Sequence, residues 1–158
     1  MQPVKLILPH ENADFDAVAS LLAAHLLDPE ALPVLPARVN RNVEQFLNLY
    51  GSELPFVRRS DLRRGAPVES VTVVDTQSFS TARGMRPDTP VHFIDHHPLA
   101  RDLDANQTYS GEPVGAAATL PVANMHATQI RIAQPEAALL QPGLYVDPGE
   151  LPIDQPNT

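Results

Sequence analysis

Three short runs in this chain, Val4-Lys5-Leu6-Ile7-Leu8, Val71-Thr72-Val73-Val74 and Val91-His92-Phe93-Ile94, are almost continuously aliphatic or β-branched. A strand with one wet face alternates polar and apolar residues. A strand buried on both faces does not, and such burial belongs to parallel sheets covered by their crossover connections. The segments between the runs read as helices. Ala17 to Leu27 is rich in Ala and Leu and apolar nearly all round, as suits a helix pressed on a sheet. Asn40 to Tyr50 carries Val43, Phe46, Leu47 and Tyr50 on one helical face, and Gly51 suits its stop. Pro33 to Pro36, flanked by prolines, reads as a short edge strand. The expectation is an α/β fold with a mainly parallel sheet flanked by helices.

Composition sets the limits of this fold. The 158 residues suit one domain, expected over residues 1–150, with an untethered tail over 151–158. Seventeen prolines are about twice the usual share. They crowd the last third from Pro121 onward, which is expected to be irregular; Gly115 to Met125 has helical composition broken by Pro121. The absence of cysteine excludes disulfides, thiolate zinc sites and cysteine nucleophiles. A net charge of -8 argues against duplex DNA as a partner. The longest apolar stretch, Ala19 to Leu27, is too short to span a membrane and the first residues resemble no secretory signal. A cytoplasmic protein is expected.

The residues directly after each apolar run carry the chemistry. Val4 to Leu8 leads into Pro9-His10-Glu11-Asn12-Ala13-Asp14-Phe15-Asp16, Val71 to Val74 into Asp75, and Val91 to Ile94 into Asp95-His96-His97. A further run, Leu144 to Val146, leads into Asp147-Pro148-Gly149. Ligands of open parallel sheets bind outside the carboxyl ends of the strands, so these side chains converge on one edge. Singly, each has an ordinary structural reading: Asp16 as the cap of the following helix, Asp147 as a turn, one of His96 and His97 as a packing residue facing away from the other. Together, the carboxylates would repel one another, and cations are the simplest remedy. Aspartates mixed with histidines favour Mn²⁺ over Mg²⁺, with Fe, Co or Zn also accommodated. Asp14 and Asp16, two residues apart, are spaced to hold different ions, and Asp75 can bridge them. Two such ions suit phosphoryl displacement by water.

His10-x-Asn12-x-Asp14-x-Asp16-Ala17, Asp75 and Asp95-His96-His97 resemble the first three motifs of the DHH phosphoesterase superfamily, which includes RecJ-like exonucleases, cyclic-dinucleotide phosphodiesterases and family II inorganic pyrophosphatases. The surrounding wording is also similar to DHH domains of bacterial proteins carrying CBS and tRNA nucleotidyltransferase modules. The resemblance runs from Met1 to about Asp147. It implies that His10 and Asp14 hold one Mn²⁺, Asp16 and His96 the other, and that Asp75 bridges them; Mg²⁺, Co²⁺ or Fe²⁺ could substitute. It implies that His97 faces the transferring phosphoryl group while Asp95 orients the histidines. Asp147 takes the place of the fourth-motif ligand, although Pro148 replaces the usual threonine. The implied activity is hydrolysis of a phosphoester or phosphoanhydride in a phosphate-containing small molecule or short single-stranded nucleic acid. Relatives complete the substrate cleft with a C-terminal domain not contained in these 158 residues. The expectation is therefore feeble turnover by this chain alone, with a second domain or a homodimer partner completing it. The alternatives are a metal-binding regulatory or assembly module and a degenerate fragment.

Arg83 and Arg86 come after the Asp75 loop and are the expected contacts for substrate phosphate. Arg58, Arg59, Arg63 and Arg64, around Asp61, read as a solvated loop, with a phosphate or single-strand contact as the alternative. His25 reads as structural.

Overall fold

The computed structural model of the protein describes residues 1–111. The expected helix at 115–125, the run at 144–146, Asp147, the domain end at 150 and the tail at 151–158 lie outside the described residues. In chain order the elements are β1 (Val4–Leu8), α1 (Phe15–Leu27), β2 (Ala31–Leu35), α2 (Arg41–Tyr50), β3 (Val57–Arg58), β4 (Val68–Val74), β5 (Val91–Ile94) and β6 (Gln107–Ser110). They form one six-stranded sheet in the order β3-β2-β1-β4-β5-β6, with every ladder parallel. The α/β reading holds.

The strand order reverses at β1. From there the chain builds outward through α1 to β2 and β3, then returns to lay β4, β5 and β6 on the other side. The crevice between the ends of β1 and β4 is thus the switch point, where the flanking connections diverge and leave room for a ligand.

Period-two alternation splits each strand between two cores. Ile7, Ala31 and Val74 face α1 and pack against Leu21 and Ala24. The far side of α1, with Ala17, Val18 and Leu22, packs against Val43 and Leu54, with Phe46 and Leu47 of α2 beside them. Being covered on both sides, α1 carries no polar stripe. On the opposite sheet face Leu6, Leu8, Val34, Val71, Val73 and Phe93 are covered largely by loops, through Phe79, Ala82, Met85 and Leu103. Phe93 is 1% exposed, and burial of such a ring is worth about 1.5–3 kcal/mol.

β2 departs from expectation: it is internal, between β1 and β3, with Pro33 inside it. The missing N–H of Pro33 is tolerated because β3 is two residues long and pairs only with Val34 and Leu35. The sheet beside Pro33 is therefore effectively an edge. Among the described residues no helix is long and apolar enough to cross a membrane.

Candidate metal centre

Two tight backbone turns aim the side chains. After β1, Asn12 takes a left-handed φ of 56°, and Ala13 is then pinned against Val39. Asp14, rather than Asp16, caps α1, with Oδ1 accepting from the Ala17 amide at 3.0 Å. The cap expected of Asp16 moves back two residues because the helix starts at Phe15. Asp16 is thereby placed in the first helical turn, 2% exposed and turned into the crevice. After β4, Asp75 has φ 59°, while its amide donates to the Ile94 carbonyl at 2.8 Å. A non-glycine residue there costs about 1–3 kcal/mol and persists only where its surroundings impose it. The Asp95 amide donates to Ser110 at 3.2 Å, continuing the β5–β6 ladder and directing its carboxylate inward.

His10, Asp14 and Asp75 form one group, and Asp16, Asp75 and His96 a second; within each, the potential ligand atoms lie within 4.8 Å of one another. Opposite ligands of one ion with bonds of about 2.1 Å stand about 4.2 Å apart, so either trio could close on a cation by small side-chain adjustments. Asp75 belongs to both. Its Oδ2 faces His10 Nε2 at 3.2 Å and its Oδ1 faces His96 Nδ1 at 3.4 Å. His96 Nδ1 also stands 3.8 Å from Asp16 Oδ2. The buried carboxylates favour a positive partner, because an ionised group removed from water needs compensation. The donor set of three carboxylates and two imidazoles fits a divalent first-row ion.

His10 registers this field. Its Nε2–H donates to Asp75 and its Nδ1–H to the Glu11 carbonyl at 2.7 Å, so both ring nitrogens face acceptors. The Asp75 carboxylate, chiefly, raises its pKa to about 9 against the opposing effect of burial. A cation taking His10 as a ligand must displace that proton.

Asp95 serves a different purpose. It is 2% exposed, and its Oδ1 accepts the Nδ1–H of His97 at 2.9 Å. That bond fixes the imidazole tautomer and steadies a ring whose side chain is 62% exposed at the crevice. His96 and His97, expected to diverge, stack with ring centroids 3.9 Å apart, yet turn their Nδ1 atoms to different carboxylates.

Sequence reasoning assigned no role to Gln77 and did not single out Tyr109. Gln77 Nε2 donates to Asp95 Oδ2 at 3.0 Å and to the Pro98 carbonyl at 2.9 Å, while its Oε1 accepts from the Ala100 amide at 2.9 Å. One side chain thus ties the β4 loop to the β5 loop behind Asp95. The Tyr109 hydroxyl donates to the carbonyls of Asp95 and His97. Only their place in the Val74-Asp75-Thr76-Gln77-Ser78 wording could have pointed to Gln77. Gln77→Ala is expected to lower stability by about 1–3 kcal/mol, because it strands a partly buried acceptor and backbone groups. Urea denaturation measures this loss, and an unchanged midpoint would remove Gln77 from the support of the centre.

The expected phosphate-binding arginines separate. Arg83 lines a cavity floored by Leu8 and Val34 on the sheet face opposite α1. Arg86 pairs with Asp88 at 3.2 Å, and its amide bonds Thr89, two residues before β5. It therefore sits at the opposite edge of the sheet from the carboxylate cluster, because the loop after Asp75 crosses the whole face. Arg59, expected in a solvated loop, approaches Glu11 at 3.8 Å. His25 bonds the Ala31 carbonyl at 2.8 Å, a structural contact.

Comparison with known proteins bears on the whole arrangement. An A-adding tRNA nucleotidyltransferase of Geobacter sulfurreducens is 30% identical over 152 residues, covering 92% of this chain and 17% of that protein. A protein of Streptococcus agalactiae named as a probable manganese-dependent inorganic pyrophosphatase is 30% identical over 151 residues, covering 90% of this chain and 47% of its own length. This chain therefore spans less than half the length of either relative. In fold, the crystal structure of a Methanococcus jannaschii protein assigned to the family II inorganic pyrophosphatases superposes with a TM-score of 0.61. It is 23% identical and covers 91% of this chain and 48% of that one. The model of the DHH family, N-terminal domain, matches residues 5–143, and the chain belongs to that family.

Proposed function

We propose that this domain takes part in hydrolysis of phosphoanhydride or phosphoester bonds with the help of two divalent cations, Mn²⁺ foremost. The observation that carries the reading is the pair of His/Asp trios sharing Asp75 at the switch point of the sheet. His10, Asp14 and Asp75 would hold one ion, and Asp16, His96 and Asp75 the other. Such ions polarise a phosphoryl oxygen and make water an effective nucleophile at neutral pH. The chain's own contribution is positional: Asp95 and Gln77 hold His97 with a fixed tautomer at the mouth of the crevice, where it contacts the phosphoryl group. Likeness to a manganese-dependent pyrophosphatase supports the choice of ion and bond. The remaining contacts to a phosphate-containing substrate come from a further domain or a second copy.

A second reading comes from the other relative, a nucleotidyltransferase of which this region covers only 17%: a metal-binding module that supports a neighbouring activity. Phosphate release from pyrophosphate, and mononucleotide release from a short oligonucleotide, separate the two. Turnover that requires Mn²⁺, falls in Mg²⁺ and vanishes in chelator is the expected result. Undiminished turnover in chelator would sink the proposal, whereas stoichiometric Mn²⁺ binding without turnover on either substrate would favour the module.

A further inference from the structure

Tyr109 is the one aromatic residue of the polar edge strand β6, and it stands opposite Phe93 in the ladder between β5 and β6. Its ring packs into the core that surrounds Phe93. Phenylalanine would serve that packing equally well. A tyrosine adds a hydroxyl, and a ring with one polar end places that end on a partner when it is covered. Here the partners are two main-chain carbonyls, those of Asp95, at 3.2 Å, and of His97. They belong to the residues on either side of His96. One hydroxyl therefore spans the bend that sends His96 toward Asp16 and Asp75 and leaves His97 on Asp95 at the crevice.

A neighbouring glycine makes room for this arrangement. Gly111 follows β6, and a Cβ placed there would overlap both the Asp95 carbonyl oxygen and the Tyr109 hydroxyl. The Asp95 oxygen is main chain, and the Asp95 amide is itself bonded to the Ser110 carbonyl at 3.2 Å. No change of rotamer relieves that overlap. An added methyl group must move the Asp95 peptide, the hydroxyl or both.

We propose that Tyr109 is a positioning residue of the centre: its hydroxyl, admitted by Gly111, holds residues 95–97 so that His97 is presented at the crevice while His96 faces the carboxylates. The consequence for turnover rests on the hydrolytic reading above, in which His97 contacts the phosphoryl group. The placement of His97 does not depend on that reading.

The experiment compares the whole wild-type chain with Tyr109→Phe, which keeps the ring and removes the hydroxyl. In the metal-free protein at one fixed pH, the nuclear Overhauser contact between the His96 and His97 rings, whose centroids lie 3.9 Å apart, reports the position of His97 without turnover. It is expected to be lost in the variant. With Mn²⁺ saturating, kcat on pyrophosphate or a short oligonucleotide is expected to fall by about 10-fold to 100-fold while KM stays near wild type, the order of loss for a reacting group displaced by about 1 Å. A residue that merely packs would lower the melting temperature and leave the kcat of the folded protein unchanged. Gly111→Ala should produce the same two changes, and it carries the test if Tyr109→Phe unfolds. Both substitutions act on one segment, so the double variant should be no slower than the slower single one. Losses that multiply would overturn the part given to Gly111. A retained ring contact in folded Tyr109→Phe would overturn the proposal, and a lost contact with unchanged kcat would overturn its consequence for turnover. A wild type that turns over neither substrate would defeat the hydrolytic reading alone, and the ring contact would still decide what places His97.

Discussion

Asp75→Asn is expected to weaken Mn²⁺ binding at both positions of the centre, by about 100-fold or more, roughly 2.7 kcal/mol. Asp75 is the one residue common to the two His/Asp trios, with Oδ2 toward His10 and Oδ1 toward His96. Its backbone is left-handed at φ 59°, a conformation that asparagine also accepts, so this exchange removes charge with little added strain. Alanine would confound the two. Titration calorimetry supplies affinity and stoichiometry, and the Mn²⁺-dependent rise in melting temperature supplies an independent readout. His10→Gln should instead disturb one ion and leave the other. The wild type also carries a pH signature. In the metal-free protein His10 is protonated below about 9 and must lose that proton to become a ligand. Apparent affinity therefore rises with pH between 7 and 9, by up to about tenfold per unit, and His10→Gln should flatten that slope. Unchanged affinity and stoichiometry in Asp75→Asn would exclude Asp75 from the centre.

His97→Ala is expected to lower kcat by about 10²–10⁴-fold, the range for loss of a positioned proton-transfer or phosphate-contacting group, while Mn²⁺ affinity stays close to wild type. His97 belongs to neither trio that shares Asp75; with Asp95 and His96 it forms a third His/Asp group, in which its Nδ1 is committed to Asp95 at 2.9 Å. The test is steady-state kinetics, with Mn²⁺ saturating, on whichever of pyrophosphate or oligonucleotide the protein turns over. Asp95→Asn makes the same point from behind. It presents an amide where a carboxylate now accepts from both His97 and Gln77, so the favoured tautomer changes while the ring remains. Its signature is a fall in kcat with a shifted pH–rate profile, which a merely packing role for Asp95 would not produce. Loss of Mn²⁺ binding in His97→Ala, in place of lost turnover, would make His97 a ligand and overturn the role proposed for it.

The parts of the fold legible in the sequence are those with strong periodicity or none. β1, β4 and β5 are visible as nearly continuous apolar or β-branched runs because neither of their faces is left open to water over the length of the run, and α2 through its single apolar face. β3 and β6 were not. The first is two residues long, and the second, Gln107–Ser110, is a short polar edge strand with no face fully buried. Such strands exist because a neighbouring ladder offers them hydrogen bonds. The start of α1 slipped for a related reason: Asp14 and Asp16 are equally good caps in composition, and only the packing of Ala13 against Val39 selects the first.

His10, Asp14, Asp16, Asp75, Asp95, His96 and His97 could be gathered in advance by one rule: parallel strands deliver the residues at their carboxyl ends to a common edge. Strand register follows the hydrophobic pattern and the parallel direction follows the long connections between runs, both of which are local information. The sequence by itself therefore determined the class of sheet, the edge that carries the chemistry and the residue types gathered there. It could not say that Asp75 would face His10 and His96 with different oxygens, that Gln77 would bind Asp95 from 18 positions away, or that the loop after Asp75 would carry Arg83 to a cavity on the face opposite α1 and Arg86 to the far edge. Loops have no repeating pattern to read. Their paths depend on which apolar side chains, here Phe79, Ala82 and Met85, find a place on a sheet face assembled from distant strands, and only the tertiary structure decides that.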